Sequence, residues 1–246
     1  MSRYLPGLAV LTITLFLSPF IIAADQPDFS GAWNTYRGGP TDANGPDTSR
    51  LALKPEAQAA VDAYRALIEG TNYAPGNACV GYGLPESMLS SGGGYPMEII
   101  QRPDQLLVIN ELHNEMRRFY IGDEAGNPEE FFRERNGYSI AHWEGDRLVV
   151  ETTRLKTQVD TRYPHSDQAT VRETYYLDDP LPDGTRILVG ELVMEDPLWL
   201  DEPYIATKRW RELNDYHVLS YECSEPKWLD EMEMLYQEAG LEMVQD

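Results

Sequence analysis

Four histidines are the side chains of this 246-residue chain that are best suited to proton transfer near neutral pH: His113, His142, His165 and His217. His165 differs from the other three because Pro164 restrains its backbone and the polar residues Ser166 and Asp167 follow it. We expect its loop, residues 156–168, to cover one mouth of a β-barrel. His165 is therefore a candidate general acid or base, and a structural role for a lone loop histidine stays open.

Charged residues interrupt three apolar rows in the second half of the chain. The rows are Val171, Glu173, Tyr175 and Leu177; then Ile187, Val189, Glu191 and Val193; and finally residues 204–210 with Lys208 among them. If these rows face an interior, Glu173, Glu191 and Lys208 must pair or line a cavity, since an unpaired buried charge costs several kcal/mol. The alternative is that these faces are solvated edges or mouth positions.

Arg117 and Arg118 are adjacent on a predicted strand, so they point to opposite faces and only one can reach an interior. An inward arginine would be a partner for Glu111, Glu173 or the carboxylate of a ligand, because its planar fork binds a carboxylate through two hydrogen bonds. The other arginine would lie on the outer surface.

These patterns define two sets of candidate site residues. The tentative catalytic residues are His165, Glu173 and Arg118, in which the histidine moves a proton and an arginine stabilises developing negative charge. The candidate ligand-binding residues are polar or aromatic: Glu111, Arg117, Tyr120, Trp143, Glu191, Tyr204, Lys208 and Trp210. Aromatic side chains would form the apolar wall of a pocket and the charged groups would orient the ligand.

Several familiar kinds of site have no counterpart in the sequence. It contains no Gly-x-Ser-x-Gly elbow, phosphate loop, dinucleotide fingerprint or His-Glu-x-x-His segment. The two cysteines lack the spaced Cys or His partners of a zinc site. We therefore predict no cofactor and no metal.

Strands dominate the chain after residue 96. We predict them at residues 97–101, 106–113, 117–121, 138–143, 147–155, 169–177, 185–195, 204–212 and 217–223, after a short strand in residues 31–36. Short links with turn residues join most of them, which favours an antiparallel meander that closes into a barrel or curls. Gly31 to Trp33 is similar to the Gly-x-Trp of the lipocalins, so the expected fold is a mainly β, lipocalin-like barrel or curled sheet. Helices at residues 53–70 and 225–240 are expected to pack outside it.

The first 24 residues have the pattern of a secretory signal peptide. Arg3 precedes an apolar run that is shorter than the roughly 20 residues needed to span a bilayer, and Ala23 and Ala24 follow it. We predict that residues 25–246 form a single β-rich domain in the periplasm or outside the cell, with no transmembrane segment after signal cleavage. A net charge of −21 disfavours binding to nucleic acid or anionic lipid.

Cys79 and Cys223 are the only cysteines, and they belong to a chain that reaches an oxidising compartment. A disulfide between them would close a long loop, for which chain entropy gives on the order of 4–5 kcal/mol of stabilisation. Two free buried thiols are the alternative.

Most of the mature chain resembles a large family of secreted bacterial proteins without an established activity. The resemblance rests on the segments DFSGAW, YPMEIIQRPDQLLVINEL, RRFYIGD, GYSIAHWEGDRLVVETTRL, PHSDQATVRE, MEDP and YEC, in that order. It implies export, a β-rich fold and pairing of Cys79 with Cys223. Two positions differ from the pattern of that family. Gly81 replaces the first proline of its Cys-x-Pro-x-Gly-x-Pro segment, and Thr170 replaces a second histidine that members carry a few residues after the one matching His165. The second weakens any paired-histidine metal site.

Three functional hypotheses follow. The first is a periplasmic protein that holds a small, partly apolar molecule inside the β-barrel or between curled sheets. The second is a cofactor-free isomerase, lyase or hydrolase that uses His165 and an arginine. The third is a structural envelope protein, which a barrel filled completely with side chains would favour.

Overall fold

The computed structural model describes residues 26–38, 45–71, 73–89, 95–223, 232–235 and 237–240. The predicted signal peptide, residues 1–24, lies outside the described residues. So does much of the helix expected at residues 225–240; among its described residues, 232–235 and 237–238 are helical.

The described residues form a mainly β fold with a closed barrel of nine strands in sequence order, which confirms the predicted lipocalin-like barrel. The strands are β1 (Gly31–Thr35), β2 (Met97–Gln101), β3 (Gln105–Asn110), β4 (Glu115–Ile121), β5 (Tyr138–Glu144), β6 (Arg147–Thr153), β7 (Thr170–Asp178), β8 (Ile187–Glu195) and β9 (Tyr204–Leu213). Helix α1 (Pro55–Ile68) and the short helix α2 (Glu86–Leu89) precede β2. None of the helices in these described ranges is long and apolar enough to cross a membrane.

One neighbouring pair of strands runs parallel. Strands β4 and β5 pair in parallel over three positions, from Phe119 with Ser139 to Ile121 with Ala141, whereas the other neighbours in the barrel are antiparallel. Strands that alternate in direction can close a ring only in even number, so a ring of nine needs a parallel pair. The connection of 3-10 turns between β4 and β5 allows it, since a parallel pair cannot be joined by a tight hairpin.

The predicted strand at residues 217–223 is wrong. This segment is coil, and its backbone N–H groups bind side chains instead of a neighbouring strand: Val218 binds Glu98, Leu219 binds Glu111 and Tyr221 binds Asn114. The barrel already closes through β1 and β9, so no edge remains for a further strand. We call residues 214–223 the C-terminal strap.

The inner face of β8 also differs from the prediction. Leu188, Gly190, Leu192 and Met194 face the barrel interior, so the predicted row with Glu191 lies on the outer face. In β7 and β9 the predicted rows, with Glu173 and Lys208, do face inward.

Trp33 is fully buried in the barrel. Its indole Nε1 donates to the carbonyl of Phe29 at 2.9 Å, and the guanidinium of Arg186 lies 5.1 Å from the centre of its ring. The Gly-Ala-Trp segment is thus part of the architecture.

Helix α2 and the β6–β7 loop close the barrel mouth together. All four residues of α2 are buried. The carboxylate of Glu86 accepts hydrogen bonds from Thr161 Oγ1 at 2.6 Å and from the backbone and side chain of Arg162 at 2.8 and 2.7 Å. Gln158 Nε2 donates to the carbonyl of Tyr82. The expected cover over the mouth by residues 156–168 is present, with α2 beneath it.

Cys79 and Cys223 form a disulfide, with their Cα atoms 5.6 Å apart. The bond fastens the C-terminal strap to the segment that leads into α2. The pairing implied by the family resemblance is therefore present in the fold.

Candidate functional site

The barrel interior contains a buried polar cluster formed by Arg117, Glu173 and Tyr175. Both terminal nitrogens of Arg117 donate to the Glu173 carboxylate, with Nη1 2.9 Å from Oε1, and the Tyr175 hydroxyl donates to Oε1 at 2.7 Å. Arg117 is 4 % exposed and Glu173 is fully buried. Arg117 is the inward member of the arginine pair, and Glu173 is one of its predicted partners.

Burial and neighbouring charges shift the pKa values of Arg117 and Tyr175 in this cluster. Burial opposes the charge of Arg117, but the Glu173 carboxylate reverses the effect and raises the pKa of Arg117. Burial and the Glu173 charge raise the pKa of Tyr175 well above its usual value. Because its pKa is raised, Tyr175 is a neutral phenol at neutral pH. Arg117 Nε has no hydrogen-bond partner among the described residues.

The space beside this cluster is small. It amounts to a cavity of about 10 Å³, which holds about one water molecule. The cavity is mostly apolar: Phe29, Met88, Met97, Ile99, Leu106, Val108, Phe119, Leu148, Tyr175 and Trp210 line it together with Ser87, Asn110 and Arg117. In this conformation side chains fill the interior within the described part of the chain, so the ligand expected inside the barrel has no space there. A larger ligand has to bind elsewhere or displace α2, and the filled interior is the feature that the structural hypothesis expects.

A larger groove lies on the outside of the barrel beside β4. Its volume is about 260 Å³, and we call it the β4–β5 groove. The groove is lined by Met116, Arg117, Arg118, Tyr120, Phe131, Phe132, Glu134, Asn136, Gly137, Tyr138 and Ser139. Three residues predicted for the site, Arg117, Arg118 and Tyr120, therefore meet here, and Arg117 borders both the groove and the interior cavity.

Stacked aromatic rings form the apolar wall of the groove. The ring centres of Phe131 and Tyr138 are 4.0 Å apart, those of Tyr138 and Tyr120 are 5.0 Å apart, and both pairs are stacked. The guanidinium of Arg118 lies 5.8 Å from the Tyr120 ring centre. Phe132 is 89 % exposed beside them. An exposed cation next to exposed aromatic surface can bind a molecule that is partly apolar and carries negative charge.

The groove exists because β4 and β5 pair over only part of their length. Before Phe119 in β4 and before Ser139 in β5, the two segments separate. A hydrogen bond from Asn136 Nδ2 to Glu115 Oε1 at 2.8 Å bridges the gap. Gly137 has a φ of +61°, and a Cβ there would overlap the carbonyl oxygen of Thr153. Only glycine allows this turn into β5 without strain.

His165 is fully buried in the loop at the barrel mouth. Its Nδ1 donates to the carbonyl of Tyr163 at 2.9 Å, and its Nε2 has no hydrogen-bond partner in the described part of the chain. Burial lowers the pKa of His165, so the ring is neutral at pH 7. Ser166 beside it donates its hydroxyl and its backbone N–H to Asp196.

The three tentative catalytic residues lie in different places. Glu173 is inside the barrel, His165 is in the mouth loop and Arg118 is on the outer surface. The structure therefore does not bring these three side chains together in one site.

Two further predicted residues, Lys208 and Trp210, face the interior from β9, as does Tyr204 near the mouth. Lys208 Nζ donates to the carbonyl of Leu89 at 3.0 Å. The Tyr204 hydroxyl exchanges hydrogen bonds with the backbone of Asp47 at 3.1 and 3.2 Å. Trp210 lines the small cavity.

The remaining predicted residues serve other contacts. Glu111 accepts from the Tyr216 hydroxyl and so helps to hold the C-terminal strap. Trp143 packs on Phe29, with ring centres 5.4 Å apart. Glu191 lies on the outer face, where it accepts from a tyrosine hydroxyl of β7.

Sequence reasoning missed eight of the residues that line the groove, among them the apolar and aromatic Met116, Phe131, Phe132 and Tyr138. A signal for two of them was present, because Phe131 and Phe132 form an apolar pair within a strongly charged stretch. In the described ranges, no group of three or more His, Cys, Asp or Glu side chains is arranged to hold a metal ion.

Comparison with known proteins adds no assignment: no protein-family model matches the chain, and no curated protein matches it significantly. The resemblance to secreted bacterial proteins stays a prediction.

Proposed function

We propose that this protein is exported to the periplasm and binds a small, partly apolar molecule with an acidic group in the β4–β5 groove. The observation that carries the proposal is the meeting of the Phe131, Tyr138 and Tyr120 stack with Arg118 in a groove of about 260 Å³. This volume is close to the lower end of small-molecule pockets, roughly 300 Å³.

Exposed apolar surface supports the proposal. Phe132 is 89 % exposed and Met116 is 54 % exposed, and both line the groove. Clustered apolar exposure on a soluble protein commonly marks a binding surface. A ligand that covered both side chains would remove this apolar area from water.

Charge supports an acidic ligand. The chain carries a net charge of −21, so its overall field repels anions and a local cation is needed to hold one. Arg118 is exposed at the groove, and its guanidinium can bind a carboxylate or sulfonate through two hydrogen bonds.

The buried ion pair gives the groove a fixed back wall. Arg117 is bonded to Glu173 on the far side of the interior, which restrains β4 where β5 does not pair with it. The adjacent Arg118 is thereby presented outward from a restrained strand. Preorganisation of this kind lowers the entropic cost of binding.

A cofactor-free enzyme is the second candidate, favoured by the unpartnered Nε2 of His165. A neutral imidazole with one free nitrogen can accept a proton. Movement of the mouth loop would be required to bring a substrate to it. Unchanged turnover in His165→Ala, on any substrate found, would remove this residue from the mechanism.

The binding proposal is tested by titration with anilinonaphthalene sulfonate, an aromatic sulfonate whose fluorescence increases on apolar surfaces. We expect the wild-type protein to bind it and Arg118→Gln to bind about 10-fold more weakly, since a charge-assisted pair contributes on the order of 1.5–3 kcal/mol. The matched control is Arg172→Gln, which changes an exposed arginine on β7 away from the groove.

A second variant tests the apolar wall. Phe132→Ser should weaken binding of the probe, whereas Leu198→Ser, which changes another exposed apolar residue, should leave it unchanged. Equal affinity in Arg118→Gln, Phe132→Ser and the wild type would overturn the proposal. Native mass spectrometry of protein purified from its own periplasm would then identify any natural ligand.

A further inference from the structure

Lys208 differs from the other lysines in where its amine lies. The chain has four: Lys54, Lys156, Lys208 and Lys227. Lys54 donates to the carbonyl of Pro197 at an exposed position, Lys156 is exposed, and Lys227 lies outside the described residues. Lys208 is 9 % exposed and faces the barrel interior between Ala206 and Trp210.

The amine of Lys208 makes few polar contacts with the described part of the chain. Its Nζ donates one hydrogen bond, to the carbonyl of Leu89 at 3.0 Å. No carboxylate forms an ion pair with it in the part of the chain that the structure describes. A buried lysine is normally paired with an acid, so this arrangement calls for an explanation other than stability.

Two arginines add to the effect of burial on the Lys208 amine. Burial and then the guanidinium groups of Arg37 and Arg162 lower its pKa to about 8. Roughly a tenth of such an amine is unprotonated at pH 7, against about 0.03 % of a lysine with the ordinary value. Lysines activated by burial and a cationic neighbour are the usual protein nucleophiles toward carbonyl groups.

We propose that Lys208 captures an anionic carbonyl compound, such as a 2-oxo acid, as an imine at the mouth of the barrel. Arg37 is exposed, so its guanidinium can attract the anionic group from solvent, whereas the side chain of Arg162 is already paired with Glu86 at 2.7 Å. This site is separate from the β4–β5 groove, and its test is independent of the groove's proposed function.

Formation of the imine needs no reactant other than the Lys208 amine and the carbonyl compound. The lone pair of neutral Nζ attacks the carbonyl carbon, and a C–N bond forms as the carbonyl π electrons move to oxygen. Protonation of that oxygen and loss of the nitrogen's protons release one water molecule and leave a C=N bond. Hydrolysis reverses these steps.

A reactant at Lys208 has to displace the side chains packed beside it. In the barrel register Lys208 pairs with Gly190, which has no side chain, and the ends of Met88 from α2 and of Trp210 fill the space next to Gly190. Methionine adapts readily to a new neighbour. The reactant would replace the Leu89 carbonyl beside Nζ and move the Met88 methyl group.

Reductive trapping with glyoxylate and cyanoborohydride at pH 7, followed by peptide mapping, tests the proposal on the folded full chain. We expect carboxymethylation of Lys208 at least about 10-fold faster than that of Lys54 and Lys156, because its free-amine fraction is larger. In denaturant the preference should disappear. Labelling of Lys208 at the same rate as the exposed lysines, or slower, overturns the proposal.

Two variants test two parts of the proposal: the role of Arg37, and the independence of this site from the β4–β5 groove. Arg37→Gln should slow trapping of glyoxylate at Lys208 but leave trapping of uncharged acetaldehyde nearly unchanged; an equal effect on both would contradict the role of the anionic group. Arg118→Gln should leave Lys208 labelling unaltered, so failure of the groove proposal would not be mistaken for failure of this one.

Discussion

Arg117 of β4 and Glu173 of β7 bind each other across the barrel, with Nη1 2.9 Å from Oε1. The two strands are not neighbours in the barrel wall. Strand β4 is the one whose pairing with β5 covers only three positions, so a side-chain link fixes the strand where the backbone ladder is incomplete. Arg117 itself borders both the interior cavity and the β4–β5 groove.

The first prediction concerns this ion pair. Arg117→Met should reduce the free energy of unfolding by about 3–5 kcal/mol, because the Glu173 carboxylate is left buried without its partner. The double variant Arg117→Met, Glu173→Leu should recover much of that loss, since an apolar pair avoids the cost of desolvating two charges.

Urea unfolding of the wild type, both single variants and the double variant measures this coupling. A loss below about 1 kcal/mol in the single variants, or simple additivity in the double variant, would show that the pair is not energetically coupled.

The second prediction concerns the turn into β5. Gly137→Ala should destabilise the protein by about 2–4 kcal/mol, because a Cβ at φ +61° would overlap the Thr153 carbonyl oxygen. Gly145→Ala is the matched control: its φ is +67°, but a Cβ there meets no atom within 4 Å. The control should lose only about 1 kcal/mol, from backbone strain alone.

Thermal unfolding and probe binding are the readouts for this pair. The Gly137 variant should also bind anilinonaphthalene sulfonate differently, since the glycine lines the groove. Equal destabilisation of the two variants would mean that the close approach to Thr153 is unimportant.

The third prediction concerns stability against pH. Burial lowers the pKa of both His165 and His113 in the folded protein. Below the unfolded pKa, about 6.5, the unfolded chain therefore binds more protons than the folded one at these positions. Their contribution is fully present above that pH and is lost as the pH falls toward the lower folded pKa.

Urea unfolding at pH 7.5, 6 and 5 tests this sign, with His165→Gln and His142→Gln compared. The His165 variant should show a shallower loss of stability between about pH 6.5 and 5. The His142 variant changes an exposed histidine and should retain the wild-type slope. Identical slopes in all three proteins would exclude His165 as a contributor.

The fourth prediction concerns the disulfide. Cys79→Ser, Cys223→Ser should lower the free energy of unfolding by about 2–5 kcal/mol, since the bond closes a long loop of the unfolded chain. Hydrogen exchange should become faster at Leu219 and Tyr221, whose N–H groups bind side chains near the disulfide.

A reducing agent supplies the control for that variant. It should destabilise the wild type by a similar amount and leave the double variant unaffected. Exchange in the C-terminal strap that is unchanged in the variant would show that side-chain hydrogen bonds alone hold the strap.

The sequence determined the elements of this protein because the two-residue alternation and the turn residues are local signals. It predicted β1 to β9 and the helix α1 closely. It left open whether the rows with Glu173 and Lys208 face the interior, where the structure places both side chains. It also limited Arg117 and Arg118 to opposite faces, since adjacent residues of a strand must point apart.

Only the tertiary structure decided which face of some strands is inside. In β8 the outer residues Ile187 and Val189 are buried as well as the inner Leu188 and Leu192, so alternation could not identify the inner face. The sequence therefore predicts a strand that is buried on both faces, and closure of the barrel decides which face is inside.

Closure of the ring also decided the parallel pairing of β4 with β5, and with it the groove. That pairing depends on the count of strands and on the closure of β1 with β9, neither of which is a local property of residues 115–144. The sequence by itself indicated the barrel strands and showed that only one of Arg117 and Arg118 can face inward. The tertiary structure decided that the interior is filled and that Arg118 meets the aromatic stack outside, because packing and ring closure depend on contacts between residues far apart in the chain.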